Sequence, residues 1–274
     1  MSDVNTDVLD QKLGRLTEFL DDSPPTIAPA RPCLVELAAG VVGPTGVRET
    51  QATVRELTGA DEETLAGLSN SKTATDVDLI ETLLKAGTVR LGSLDPTPEL
   101  FGQLLIGDRD RLLLGIRTAT FGNDLEMRYV CPGCQESLHV TVDLEKEVPV
   151  RSLDDDLWPT FSHVLRDGRS VTCRIPVGAD QRAVYRLGKG ASVASMNTTL
   201  LSLVIIAVDD EPIVELIETP EEFARNLGMA DRRALLERLK DAQPEPLYQE
   251  VKMPCPSCGR VDPLALSMAD LFRV

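Results

Sequence analysis

Two short stretches, Cys131-Pro132-Gly133-Cys134 and Cys255-Pro256-Ser257-Cys258-Gly259, decide how this chain is expected to fold. Each holds two cysteines with two residues between them, a spacing at which both sulfurs of one tight turn reach the same tetrahedral metal ion. Proline fixes one backbone dihedral of such a turn, and glycine supplies the permissive conformations it needs. Alternating, strand-like sequence flanks each turn: Leu125 to Val130 and Leu138 to Val142 around the first, Tyr248 to Met253 and Val261 to Leu266 around the second. The expectation is therefore two β-hairpins tipped by cysteines, brought together so that Cys131, Cys134, Cys255 and Cys258 hold one structural Zn2+. Arg128, Lys252 and Arg260 stand close in sequence to offset the charge of four thiolates. With all four positions filled by protein, no site is left for a reactive water, so the metal would staple the fold rather than catalyse. A thioredoxin-like redox pair would be single and would open a helix, whereas these pairs are duplicated between strands. His139 follows the first pair but is not needed as a ligand, and Cys33 and Cys173 lie in apolar sequence where small buried side chains are expected.

The two pairs are 120 residues apart, far more than the dozen or two of a compact zinc module, so a whole insertion must lie between the hairpins. The expected fold class is α+β: a zinc-ribbon-like module with a helical region before it and a long, mainly α-helical insertion within it. The corresponding division is 1–50 as an acidic arm and proline-rich linker, 51–122 as a small helical region, 123–144 with 248–274 as the zinc module, and 145–247 as the insertion. In the arm, Val8, Leu9, Leu13, Leu16 and Leu20 fall at helical spacing ahead of Ser23-Pro24-Pro25. Further on, Ala52, Val54 and Leu57 alternate like a strand, a helix is expected over Asp76–Lys85, and another over Asp108–Ala119 closed by Gly122. Within the insertion, Val171 to Ile175 alternates like a strand. Helical runs follow at Ala179–Leu187, Asn197–Val208 and Ala230–Lys240, and Thr219-Pro220 caps a turn before the last.

Charge excludes some functions. Twenty-eight Lys and Arg against 44 Asp and Glu give a net charge of -16, which disfavours phosphate backbones and anionic lipid as direct partners. Aromatic residues are 4 % of the chain, too sparse for a base-stacking platform. The start of the sequence has no basic region leading into an apolar run, and Leu200 to Val208 is far short of the roughly 20 residues that span a bilayer. The acid-rich stretch from 209 to 247 is suited to steering a basic partner surface. Phosphate-loop, dinucleotide-binding, nucleophile-elbow and zinc-protease patterns are all missing; Leu187-Gly188-Lys189-Gly190 is a turn. His163 has only Asp154-Asp155-Asp156 near it, an acidic surface loop. No catalytic residue, small-molecule substrate or cofactor other than zinc is expected.

Several segments in order resemble one family. Arg55-Glu56-Leu57-Thr58-Gly59-Ala60-Asp61-Glu62, then Asp108-Arg109-Asp110-Arg111-Leu112-Leu113-Leu114-Gly115-Ile116-Arg117, Phe121-Gly122 and a strand into Cys-Pro-x-Cys are similar to the T-even-type phage baseplate hub and hub-assembly chaperone family, which is shared with contractile injection systems. Ala230-Asp231-Arg232-Arg233-Ala234-Leu235, the second cysteine pair and the ending Leu264-Ala265-Leu266 to Leu271-Phe272 continue the likeness, which runs from about residue 50 to the end. The resemblance implies a non-enzymatic part of a baseplate, either a lasting subunit or an assembly factor, with other baseplate, hub, spike or wedge subunits as partners. It also implies residence in the bacterial cytoplasm during assembly and a place in the finished particle for the subunit version. Two other classes compete: a cytoplasmic zinc-ribbon adaptor unrelated to phage tails, and a thiol oxidoreductase.

Overall fold

The structure is a computed structural model that describes residues 32–69, 74–153, 158–188, 190–216, 218–244, 246, 248, 251–264, 266 and 268–272. These belong to one unit that begins at Pro32. The expected amphipathic helix before residue 31 and the acidic run beside His163 lie outside the described residues.

The fold is mixed α+β. It opens with β1 (Cys33–Val42) and β2 (Arg48–Val54), an antiparallel hairpin, followed by α1 (Gly59–Ser69), α2 (Asp76–Gly87) and β3 (Thr88–Leu91), which returns to complete a three-stranded sheet in the order β1-β2-β3. The boundary expected at residue 50 thus runs through a hairpin. Val35, Leu37 and Val41 alternate as a half-buried strand requires, a signal masked by the neighbouring prolines. Next come α3 (Pro98–Gln103) and α4 (Ile106–Phe121). Thr97 caps α3 with its hydroxyl and Pro98 occupies the first turn. Gly122, at φ 82, ends α4 where its glycine was expected to. Leu83, Leu84, Leu91, Leu112, Leu113 and Ile116 fill the core between this sheet and its helices.

The segment expected as a mainly helical insertion contains a four-stranded sheet, β6 (Thr160–Val164), β7 (Ser170–Arg174), β8 (Ile205–Val208) and β9 (Glu211–Pro212), in that order. Around it stand α6 (Gly178–Tyr185), α7 (Val193–Val204), α8 (Pro220–Asn226) and α9 (Met229–Asp241). The run expected as helix to Val208 changes to strand at Ile205, because Ile205, Ile206 and Val208 are β-branched and β7 offers them a ladder. Phe161, Val171, Leu201, Phe223, Leu235 and Leu239 form the second core, with Ala39 and Leu105 joining it from the first half of the chain.

Two further hairpins carry the cysteine pairs: β4 (Asp124–Val130) with β5 (Ser137–Asp143), and β10 (Lys252–Pro254) with β11 (Val261–Pro263). Each leads to a one-turn helix, α5 (Leu144–Glu147) and α10 (Met268–Leu271). A third core of Leu125, Val140, Val142, Val251, Leu264 and Leu266 joins the two hairpins.

Candidate metal centre

The cysteine turns share a hydrogen-bond pattern. The Cys131 amide donates to the Glu136 carbonyl at 3.0 Å and the Gln135 amide donates back to the Cys131 carbonyl at 2.8 Å. In the second turn the Cys255 amide donates to Arg260 and the Gly259 amide to Cys255, both at 2.8 Å. The residue after the second cysteine of each pair is left-handed: Gln135 at φ 61 and Gly259 at φ 70. Glycine suits that conformation and glutamine tolerates it at a cost.

All four Sγ atoms lie within 4.8 Å of one another. Cys131 is 3.7 Å from Cys258, and Cys134 is 3.8 Å from Cys255. A metal–sulfur bond of about 2.3 Å gives a sulfur tetrahedron with an edge of about 3.8 Å, so these residues fit a tetrathiolate zinc centre. Cys131 and Cys255 are buried, whereas Cys134 and Cys258 face solvent. Gly133 lets the turn pack closely: a Cβ there would come within 2.8 Å of Arg260 Cδ, which would have to shift, and 3.6 Å of the Cys131 and Cys258 sulfurs.

The local electrostatics favour thiolate at one position. Amides of Cys134 and, to a lesser extent, Gly133 donate to the Cys131 sulfur and lower its thiol to about 7 against the opposition of burial. Cys134 is pushed up to about 12: the Glu136 amide pulls its pKa down, but burial and the three neighbouring sulfurs outweigh it. Cys258 is also raised, because Cys255 and burial outweigh the amide of Arg260. Four sulfurs this close cannot all carry charge unless a cation sits among them.

His139 is exposed on β5, paired across the hairpin with Arg128, and is not among the clustered side chains. Of the two other cysteines, Cys173 is fully buried and its thiol is pushed up to about 12 by burial. Cys33 is exposed at the start of β1, contrary to expectation, because among the described residues nothing packs over the first residues of that strand.

Buried polar groups elsewhere hold elements together. The Asp108 carboxylate, at the expected start of its helix, reaches back to β1 and accepts from the amides of Ala38 at 2.6 Å, Ala39 at 3.0 Å and Gly40 at 2.8 Å. Those amides belong to a bulge where the β1–β2 register shifts, and Gly40 there is at φ 65, with the Glu49 carbonyl where a Cβ would be. Arg117 is buried and donates to the carbonyls of Gly122 and Asp124, fixing the passage from α4 into β4. Arg111 donates to the carbonyls of Pro244 and Arg151. Asp108 and Arg111 of the Asp-Arg-Asp-Arg run are therefore long-range ties, a role that local sequence patterns do not reveal.

The family model described as T4 bacteriophage base plate protein matches residues 45–273, a span that includes both cysteine pairs. No curated protein and no solved structure matches the chain.

Proposed function

The chain belongs to the T4 bacteriophage base plate protein family, and on that premise we propose that it is a non-enzymatic structural or assembly component of the baseplate of a contractile tail-like particle. Its partners are other baseplate, hub, spike or wedge subunits. It acts in the bacterial cytoplasm during assembly, and as a lasting subunit it stays in the particle. The family match over residues 45–273 is the observation that carries this reading, and it favours the baseplate over an unrelated zinc adaptor.

Cys131, Cys134, Cys255 and Cys258 are the zinc ligands in this proposal, supported by sulfur separations of 3.7 and 3.8 Å. Zinc bound there supplies charge neutralisation and cross-linking, and the four thiolates leave it no open coordination position. The chain's own residues do the rest: turn amides turn toward the sulfurs, and the core of Val140, Val142, Val251, Leu264 and Leu266 aligns the hairpins. The buried side chains of Asp108 and Arg117 and the half-buried Arg174 are engaged in tying elements together, which is what a rigid assembly part needs.

The test is to lyse the native producer, sediment its large particles and locate the protein by mass spectrometry. Pelleting in fixed ratio with sheath, tube and spike proteins is the expected result for a subunit. Recovery in the soluble fraction with one hub protein assigns the assembly role, and recovery with neither overturns the proposal.

A further inference from the structure

The segment between the cysteine pairs is not foreign to what precedes it. Thr53-Val54-Arg55 and Gly59-Ala60-Asp61 recur as Thr172-Cys173-Arg174 and Gly178-Ala179-Asp180. Thr97-Pro98-Glu99 with Phe101 recurs as Thr219-Pro220-Glu221 with Phe223, and Asp108-Arg109 as Asp231-Arg232. The cysteine pairs follow at the same remove, so the separation stays between 117 and 124 residues from the third strand of each sheet to the final short helices.

The geometry repeats with the letters. Arg55 grips Asp61 through two guanidinium nitrogens at 2.9 and 3.1 Å while the Thr58 amide donates to the same carboxylate at 2.8 Å. Arg174 grips Asp180 at 2.6 and 2.8 Å while the Val177 amide donates at 2.9 Å. In both sheets a helix passes without a loop into the third strand, α2 into β3 and α7 into β8. The pairing registers correspond: Ala52 with Leu91 and Thr53 with Arg90 in one, Val171 with Val208 and Thr172 with Ala207 in the other. Each register then slips at the next residue, between Thr53 and Val54 and between Thr172 and Cys173. Asp108 accepts from the first strand of its own hairpin, and Asp231 accepts from Arg166 in the turn of the second hairpin. Independent sequences do not converge on the same clamp, the same slip and the same order of elements, to which the second copy adds the two-residue β9.

We infer that residues 33–148 and 160–272 are two copies of one folding unit, each carrying half of a metal site, and that the metal is the clasp between the copies. The sulfur contacts have the symmetry this demands. Exchanging the copies turns the Cys131–Cys258 contact into the Cys255–Cys134 contact, and the two distances agree at 3.7 and 3.8 Å. Neither copy has more than two of the clustered ligands, so neither can close a tetrahedral thiolate site by itself. Away from the metal, polar ties between the copies among the described residues are scattered and single: Arg111 donates to the Pro244 carbonyl at 3.1 Å, Arg182 to the Pro98 carbonyl at 3.3 Å and to Glu81 in an ion pair at 2.9 Å, and the Tyr248 hydroxyl to the Asp110 carbonyl at 3.4 Å. The Gly178 amide donates to the Leu104 carbonyl at 2.9 Å, the Gly107 amide to the Gln243 side chain at 3.2 Å, and buried Arg109 to Gln181 at 2.8 Å. Ala39 and Leu105 in the second core and the shared third core add apolar contact between the copies, and a charge-neutralising four-ligand bridge is the strongest single tie among them.

This rests on the zinc reading above, so metal content is measured first on the full chain, with one zinc expected. A specific protease site is then placed between residues 153 and 158 of the otherwise intact protein, and the linker is cut. The zinc-loaded halves should co-elute on size exclusion, part on chelation and rejoin when zinc returns. A chain that holds no metal overturns both the zinc reading and the clasp. A chain that holds zinc but whose cut halves stay together after stripping overturns the clasp alone. Hydrogen exchange on the unmodified chain gives a second measurement that needs no variant. Stripping zinc should speed exchange at the Gly107 and Gly178 amides at least about tenfold, and acceleration confined to the two cysteine turns overturns the inference.

Discussion

Cys131 and Cys255 are buried while Cys134 and Cys258 face solvent, so the four sulfurs are unequal in what their loss does. Cys131→Ser or Cys255→Ser removes a ligand and leaves a hydroxyl within the packed turn, and structural zinc contributes directly to folding free energy. Insoluble or protease-sensitive protein without bound zinc is expected. Cys134→Ser and Cys258→Ser, made at the solvent edge, should weaken zinc retention and leave more soluble protein. Limited proteolysis and metal analysis check both, and normal melting of the buried-site variants would count against a structural metal. The left-handed residue of each turn offers a cleaner contrast. Gly259 is suited to φ 70, whereas Gln135 holds φ 61 against the preference of its Cβ. Gln135→Gly should therefore stabilise the zinc-bound protein by up to about 1 kcal/mol, less what glycine adds to the entropy of the unfolded chain. Thermal melts of the loaded protein decide it. The clustering of the four cysteines was legible because Cys-x-x-Cys is a local pattern. Asp108 was not, since its three acceptor contacts are to a strand some 70 residues earlier and its neighbours suggest only a helix start.

The helices α1 and α6 open with the same Gly-Ala-Asp and the same arginine clamp, but their surroundings differ. Gly59 has open space where a Cβ would go, while a Cβ on Gly178 would lie 2.6 Å from both the Phe101 carbonyl and Arg109 Nη1. Gly59→Ala should thus be neutral or stabilising by up to about 1 kcal/mol. Gly178→Ala should destabilise by about 1–3 kcal/mol, because backbone cannot move aside as a side-chain tip can. Denaturant melts of the two variants test it, and equal effects would contradict the packing of α6 against α3 and α4. Elements with their own punctuation were readable in advance: α2 ends at Gly87, α4 at Gly122, and Thr219 with Glu222 caps α8 in a reciprocal pair. Strands that depend on a distant partner were not. Residues Ile205–Val208 continue the apolar run of α7, and only pairing with β7 separates them from it. The recurrence of Thr-x-Arg and Gly-Ala-Asp was in plain view, but it acquires meaning only when both arginines are seen gripping both aspartates.

Across the whole chain, acid should act on stability in two separate steps, because two kinds of group carry it. Zinc binding needs deprotonated sulfur, so falling pH drives the metal off as protons compete for the thiolates. Carboxylate clamps fail lower. Asp61 is held at about 2 chiefly by the Arg55 guanidinium, below its ordinary 3.8, with burial opposing and the Thr58 amide assisting. A carboxyl whose folded pKa is depressed contributes stability above its unfolded pKa and loses it as pH falls through the folded value. Its window therefore runs from about pH 4 down to about pH 2. The contribution is about 1 kcal/mol once the partial exposure of Arg55 is allowed for. Against these losses, protonation of surface acids relieves the self-repulsion of a chain with net charge -16, so the first step should follow zinc release rather than total charge. Melting temperature and zinc release followed together from pH 7 to 2 should show a drop coincident with metal loss, then a second drop below pH 4. Chelated protein should lack the first drop and keep the second, and Asp61→Asn should weaken the second while leaving zinc release where it was. A single drop shared by loaded and chelated protein would mean that the metal contributes nothing to holding the fold.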